Sequence, residues 1–465
     1  VNTDIATSKW WRDTRRRTGL SSVLFTAAAC FATVGALLGL HSILSLAAAA
    51  LIGFVFLEFP RIPRVQKIAA LILLALAAVL AGISRPGEVA TILFAGVLKT
   101  LPFLLVFAAV GWLRAAASES PSVTALRAGL ANLGAGRRFA AFSLSAHAMG
   151  AGFNLAGVGL LAPMLDDARD GPWDAMRLRC AIMWGFAAAT CWSPFFVGTA
   201  AVLATMPSLQ WRHVLPYGIV LAVGFLAYAI AYDRFMRRRT DVRAPPPVIS
   251  RPLAVPASRL LAAIAVLFAI TLALVEGVGL ALTTAIALAG PAFALCWLLL
   301  VHGTSGRAKI GKIAGNVILG YPGMRTETTL FVAANVFGAA ISASLPVGGL
   351  TADGIAAPPM GDFGNTLLAI WLYLAICALG FHPIVLLVVF TTMVDPASLG
   401  VPLPVLGATM MTLWGMGTSV SPLSGTTLFL SQMSQASSFT IAWRWNGVFF
   451  LSAAIWPAAV LAIAS

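Results

Sequence analysis

Two short elements of this chain combine residue types that can hold small ions without being charged themselves. Thr190, Ser193, Pro194 and Thr199 follow a T-x-x-S-P-x-x-x-x-T pattern, and Thr418, Ser421, Pro422 and Thr427 repeat it at an offset of 228 residues. Proline removes a backbone donor and clashes with the carbonyl four residues before it, so each element predicts a broken helix. A break leaves carbonyls able to coordinate a cation, and the half-helix that follows points its N-terminal amides at an anion. Ser193, Thr199, Ser421, Thr426 and Thr427 add neutral hydroxyls. A competing account is that these hydroxyls only satisfy backbone freed by the kink, as happens routinely in membrane helices. Repetition of the whole motif at matched positions favours binding.

At the same offset, Gly152-Phe153 matches Gly380-Phe381, and Asp167 matches Asp395. Gly150, Gly152 and Asn154, and in the second copy Gly380, His382 and Pro383, interrupt apolar stretches near 139 to 165 and 364 to 394. Glycine there allows a sharp turn that brings amides near a ligand, or else close packing between helices. His382 beside Pro383 can hydrogen-bond a carboxylate or titrate during transport, and His147 lies about one helical turn before Gly150. An offset of 226 brings Lys99-Thr100 onto Arg325-Thr326. A cation near the start of a spanning helix either snorkels, pairs or attracts an anion. Glu327, two residues beyond Arg325, has the character of a proton-coupling carboxylate or of a simple ion-pair partner.

The elements that carry these residues must lie in lipid. Of 465 residues, 60% are apolar and 10% charged, whereas soluble domains carry about a quarter charged residues. A hydrocarbon core of about 30 Å needs roughly 20 apolar residues per helix. That ruler predicts an all-α integral membrane protein with about eleven transmembrane helices, near 22–39, 42–59, 68–84, 90–113, 179–206, 213–232, 258–276, 278–301, 326–345, 405–433 and 445–464. The two interrupted stretches predict re-entrant hairpins, since irregular backbone at membrane depth survives only where protein or a water-filled cavity satisfies it. The cationic run Lys9 to Arg17 followed by apolar residues from Val23 predicts a retained first helix rather than a signal peptide.

With the N-terminus cytoplasmic, the loops holding Arg61, Arg64 and Lys67, then Arg137 and Arg138, Arg237 to Arg239, and Arg307, Lys309 and Lys312 all fall on the cytoplasmic side, as the positive-inside rule requires. Only Arg85 and Arg212 remain outside, the outer loop with Asp353 and Asp362 has no cation, and the C-terminus ends outside. Counting either hairpin as a full span would invert everything after it. The chain then divides into N-terminal helices (1–89), a first repeat of helix, hairpin, broken helix and closing helix (90–239), a linker with two connecting helices (240–317), and a second repeat of inverted topology (318–465). Inverted repeats with broken helices are a common way to build alternating access around a midplane site.

The run FSLSAHAMGAGFNLAGVGLLAPML (142–165), the later TSVSPLSGTTLFLSQM (418–433) and the order of spans resemble the ion transporter superfamily, particularly its divalent anion/sodium symporter branch. The resemblance covers essentially the whole chain in topology. It implies a homodimer working by an elevator motion, with small carboxylates bound between hairpin tips and helix breaks. That branch carries Ser-Asn-Thr at both tips, whereas here they read Gly152-Phe153-Asn154 and Gly380-Phe381-His382.

The resulting expectation is a multi-pass protein of the cytoplasmic (inner) membrane, a secondary transporter of a small organic anion coupled to Na+ or H+. Its alternative is a cation/proton antiporter or a metalloid-anion exporter of the same superfamily. An antiporter ordinarily needs a titratable acid at the midplane, and neither broken element contains one. A membrane enzyme would need an HExxH motif or a nucleophile with a base, and direct ATP coupling a P-loop; the sequence has neither. The net charge of +14 reflects loops between apolar blocks rather than a nucleic-acid-binding face. Five cysteines, all within apolar segments and without metal-ligand spacing, predict no disulfide and no zinc; no cofactor is expected beyond Na+ as a coupling ion. Single cysteines placed at Arg137 and Asp353 should react with a membrane-impermeant thiol reagent from the cytoplasmic and outer faces respectively; reaction of both from one face would refute the inverted repeat.

Overall fold

The computed structural model describes residues 9–131, 133, 135–165, 170–206, 208–237, 253–344, 360–394, 399–434 and 436–465. Asp167, Asp353, Asp395 and the Pro-rich part of the linker therefore lie outside the described residues. The regular structure described is helical, without strands. In chain order the helices are α1 (Lys9–Leu38), α2 (His41–Glu58), α3 (Arg64–Ser84), α4 (Val89–Leu98), α5 (Leu101–Ser118), α6 (Pro121–Ala131), α7 (Ala135–Phe153), α8 (Leu155–Leu161), α9 (Pro172–Thr190), α10 (Val197–Thr205) and α11 (Trp211–Tyr232). They continue as α12 (Ala254–Leu272), α13 (Leu282–His302), α14 (Arg307–Gly320), α15 (Arg325–Ser344), α16 (Gly361–Ala378), α17 (Pro383–Met393), α18 (Leu403–Val420), α19 (Gly425–Ser434), α20 (Gly447–Ala453) and α21 (Ile455–Ala464).

Nine helical stretches among the described residues are long and apolar enough to cross a bilayer. Eight coincide with expected spans. The broken elements at 179–206 and 405–433 do not qualify because each is split into shorter helices, and α15 opens on the polar run Arg325 to Thr329, which dilutes its hydropathy. The ninth, α16, was expected as one limb of a hairpin and is by itself of spanning length. Large apolar side chains face outward on these helices, Phe56 at 82% exposure and Ile83 at 77%. Together with the span lengths, this establishes a multi-pass membrane protein, in which lipid rather than water covers the outer faces.

Two compact units form, one from residues 1–116 and 270–344 and the other from 117–269 and 345–465. The division cuts across the expected repeats: the first helix expected of each falls in the first unit, and the segments expected as hairpin, broken helix and closing helix fall in the second. In the first unit, Gly35 lets α1 and α2 pack closely, since a Cβ there would lie 2.8 Å from a Leu44 methyl. Phe25 stacks on Tyr321 at 4.6 Å and meets Phe54 edge-on at 5.2 Å. At Gly96 the backbone of α4 lies directly on Val336 of α15, leaving no room for a side chain.

In the second unit, α9 and α18 are buried on nearly every face from Ala175 to Thr190 and from Val405 to Val420, the behaviour of helices apolar all round. Gly185 sets α9 against the Ser143 carbonyl of α7, and Gly415 sets α18 against the Thr190 side chain and the Ala187 carbonyl of α9. Trp184 stacks on Phe449 at 3.6 Å and donates its indole N–H to Asn446 Oδ1 at 2.7 Å. Near the start of α9 a buried ion network ties three elements: Arg177 donates to Asp174 (2.8 Å) and in fork geometry to Asp233 (2.5 and 3.2 Å), while Arg138 holds Asp170 at 3.0 Å.

Removing one partner of a buried pair leaves an uncompensated charge at a cost of about 3–5 kcal/mol. Arg177→Met, which takes the guanidinium from both Asp174 and Asp233, is expected to reach that range in thermal or denaturant unfolding of the purified protein. Asp233→Ala should cost less, because Asp174 still holds the guanidinium. An Arg177→Met variant as stable as the parent would contradict this reading of the network.

Candidate functional site

All the residues of the two T-x-x-S-P elements and both interrupted stretches fall in the second unit. The first interrupted stretch turns at Asn154, between α7 and α8. The reversal is tight: a Cβ on Gly157 would lie 2.7 Å from the Met149 carbonyl carbon and 2.8 Å from the Gly150 nitrogen. Asn154 has φ +53°, the only positive φ outside glycine among the described residues, and its ψ of −141° lies outside the left-handed helical region, near one that ordinarily takes glycine. Its side-chain oxygen accepts from the Leu155 N–H at 2.6 Å, which caps α8.

The first break lies between α9 and α10, and the Asn154 turn sits on it. Asn154 Nδ2 donates to the Phe195 carbonyl at 2.9 Å, and Ser193 Oγ donates to the Ala151 carbonyl at 2.6 Å while accepting from the Phe195 N–H at 3.2 Å. Gly150 packs on Phe186 and Ala189 of α9 (3.2 and 3.4 Å from an added Cβ), and Gly152 on Ile264 of α12 at 2.9 Å. These two glycines thus serve close packing. Thr199 Oγ1 donates to the Ser193 carbonyl at 2.7 Å, Thr190 Oγ1 reaches the Ala187 and Met411 carbonyls (2.7 and 3.2 Å), and Pro194 is buried between them.

The second break, between α18 and α19, repeats this pattern. Thr427 Oγ1 donates to the Ser421 carbonyl at 2.7 Å, the same bond across the same six residues as Thr199 to Ser193. Pro422, buried, cannot donate to the carbonyl of Thr418; Ser424 Oγ takes that place, donating to the Thr418 carbonyl at 2.5 Å and accepting from the Thr427 N–H at 3.2 Å. Thr418 Oγ1 bonds back to Gly415 O at 3.0 Å, and Thr426 is buried on the first turn of α19. Gly380, at φ +106°, turns the second stretch against this break, since a Cβ there would meet Leu423 Cδ1 at 2.8 Å. His382 caps α17, its Nδ1 accepting from the Ile384 N–H at 3.3 Å, and its ring stands edge-on to Trp414 at 5.8 Å.

Each turn therefore meets the break of its own motif, and the serine hydroxyls of the two breaks differ. Ser193 Oγ is held by the Ala151 carbonyl. Its counterpart, Ser421 Oγ, is fully buried and has no hydrogen-bond partner. Such a group costs about 1–3 kcal/mol unless something bonds it. The two breaks are also joined through Gly198, whose backbone lies 2.5 Å (from an added Cβ) off the Trp414 ring.

Other expected residues are placed elsewhere. Lys99, Arg325 and Glu327 belong to the first unit. Lys99 is exposed at the end of α4, and Arg325 donates to the Pro322 carbonyl at 3.0 Å and lies 3.8 Å from the buried Glu58, which also accepts from Ser21 and Arg61. His147 Nε2 accepts from the Trp192 indole at 3.3 Å. Sequence reading did not single out Ala151, Phe195, Ser424, Gly157 or Trp414. Ser424 alone carried a signal, as a hydroxyl two residues past Pro422.

Among solved structures, the chain is similar to the crystal structure of the YdaH transporter of Alcanivorax borkumensis, with a TM-score of 0.51, 14% sequence identity, and alignment over 86% of this chain and 97% of that one. At that identity the likeness is one of fold. No protein-family model matches the chain, and no curated protein matches it. The class is thus a multi-pass membrane protein with a transporter-like fold.

The hydrogen bonds separate two kinds of hydroxyl. Thr199→Val strands the buried Ser193 carbonyl and should lower unfolding stability by about 1–3 kcal/mol, whereas Thr427→Val should cost less, because the Ser424 N–H still donates to the Ser421 carbonyl at 3.3 Å. Ser421→Ala removes an unpartnered group and should leave the melting temperature of the purified protein unchanged or slightly raised. A reversed order would show that Ser421, not the threonines, holds its break together.

Proposed function

We propose that the chain is a secondary active transporter of a small organic, carboxylate-like anion, coupled to Na+ or H+, working by elevator-type alternating access. In this reading it is a member of the ion transporter superfamily close to the divalent anion/sodium symporters, a homodimer of the cytoplasmic membrane with N-terminus inside and C-terminus outside. The observation that carries the proposal is the matched pair of breaks, each closed by the same threonine-to-serine bond and each met by the turn of its own repeat.

The chemistry supports an anion. At the second break, the first turn of α19 has its Thr427 N–H capped by Ser424 Oγ and brings the Gly425 and Thr426 amides to the same break as the unpartnered Ser421 hydroxyl, and no carboxylate stands in either break to repel a negative ligand. A cation suits the carbonyl-rich side of the same breaks. At the first break Phe196 stands where Ser424 stands in the second, so no hydroxyl from that position caps the Thr190 carbonyl left by Pro194. The fold likeness to a transporter agrees with this reading.

The purified protein should be melted in the presence of carboxylates, phosphonates and sulfonates, with and without Na+ and at two pH values. A ligand at 100 times its Kd adds about 2.7 kcal/mol of stability, so one anion class is expected to raise the melting temperature, more so with the coupling ion. Ser421→Ala should weaken that response roughly two- to fifteen-fold in apparent affinity. A stabilising anion whose affinity ignores Ser421 would move the site away from the second break; no stabilising anion in any class, with no gradient-driven uptake by proteoliposomes, would overturn the transport proposal.

A further inference from the structure

The first unit contains a cavity of about 340 Å3 that the transport reading does not use. It lies between α1, α5, α13 and α14, with Thr26, Cys30, Thr33, Trp112, Ile318 and Tyr321 in its lining. Its polar atoms face elsewhere. Thr26 and Thr33 donate to the Ser22 and Ala29 carbonyls of their own helix at 2.7 and 2.8 Å. The Trp112 indole donates to Tyr321 Oη at 3.1 Å, and that hydroxyl donates in turn to the Ala108 carbonyl at 3.4 Å. What remains is an apolar surface with no hydrogen bond on offer, suited to hydrocarbon rather than water. Cys30 in its wall is exposed, so the cavity opens to the outside of the unit.

One wall carries a second feature. Helix α14 reads RAKIGKIAGNVILG: three cations in its first six residues and no acid. Arg307, Lys309 and Lys312 are exposed, whereas Ile318 and the following Tyr321 reach the cavity. At 1.5 Å per residue the helix rises about 9 Å from Lys312 to Ile318. Basic residues at one end of a membrane helix and an apolar cavity at the other match, in order and in spacing, the phosphate and the acyl chain of one lipid.

We infer that this cavity binds the acyl chain of an anionic phospholipid whose phosphate rests on Arg307 and Lys312. The charge pattern selects this occupant. A zwitterionic lipid gains little from the cations, and a second copy presenting the same face would bring another cationic α14 toward the first. The inference is independent of what the second unit transports.

Cys30 provides the probe. In a Cys296→Ser background it is the sole exposed cysteine among the described residues, because Cys180, Cys191 and Cys377 are buried. The rate at which a small maleimide alkylates Cys30 is measured on the detergent-solubilised full chain while dioleoyl phosphatidylglycerol or dioleoyl phosphatidylcholine is titrated in. Each cation near a membrane surface contributes about fivefold in affinity for an anionic lipid. Phosphatidylglycerol is therefore expected to protect Cys30 at roughly 30-fold lower concentration than phosphatidylcholine. Arg307→Gln/Lys312→Gln should abolish that preference while leaving the melting temperature unchanged, as both side chains are exposed. Ala29→Trp, which fills the cavity, should slow alkylation without lipid and remove any further effect of lipid. Equal protection by both lipids, no protection by either, or a preference that survives in the double variant would overturn the assignment. Protection without lipid that grows with protein concentration would overturn it in favour of a second copy.

Discussion

Within a bilayer every backbone N–H and C=O must find its partner inside the protein, since no water is present to replace one. A proline in a spanning helix breaks that rule at one carbonyl, and the rest of the second unit can be read as the answer to two such breaks. Thr199 and Thr427 reach back six residues to the Ser193 and Ser421 carbonyls, and Ser424 reaches the Thr418 carbonyl that Pro422 leaves open. The Asn154 and Gly380 turns then lie against the breaks, the first through direct hydrogen bonds and the second through Leu423. Burial of α9 and α18 on nearly every face follows from the same need, because helices carrying such breaks are stable only when other protein surrounds them.

The inequality of the two breaks bears most on function. At the first, the serine hydroxyl and the neighbouring carbonyls are engaged by the turn, so that turn and break form one hydrogen-bonded body. At the second, the turn makes apolar contact and the serine hydroxyl has no partner. Two copies of one motif thereby differ: the first is tied to its turn by hydrogen bonds, and the second keeps a buried hydroxyl without a partner. The ion network around Arg177 adds to the first repeat alone, since Val405 stands at the equivalent position of the second.

Much of this architecture was legible in the sequence because the physical signals are strong and local. Apolar runs of spanning length, proline inside two of them and glycine at both turns follow from bilayer thickness and backbone sterics. The hydroxyl roles were less legible: a threonine that caps a break and one that binds a ligand have the same sequence signature, and only the acceptor tells them apart. The acceptors are mostly backbone carbonyls, of Ala151, Phe195 and Ser421, and a carbonyl leaves no mark on residue type. The same holds for Arg325, whose acidic neighbour Glu58 lies far away in sequence. The two compact units were not legible because they are defined by packing, with each repeat shared between them.

The central claim is that the second break is a ligand site open in turn to both sides of the membrane. It is tested most directly by Ser421→Cys in a cysteine-free background, reconstituted in oriented proteoliposomes and exposed to a membrane-impermeant thiol reagent from one side and then the other. The account predicts reaction from both faces, slowed from both by the anion that stabilises the protein. Reaction from one face only, or from neither, would contradict it.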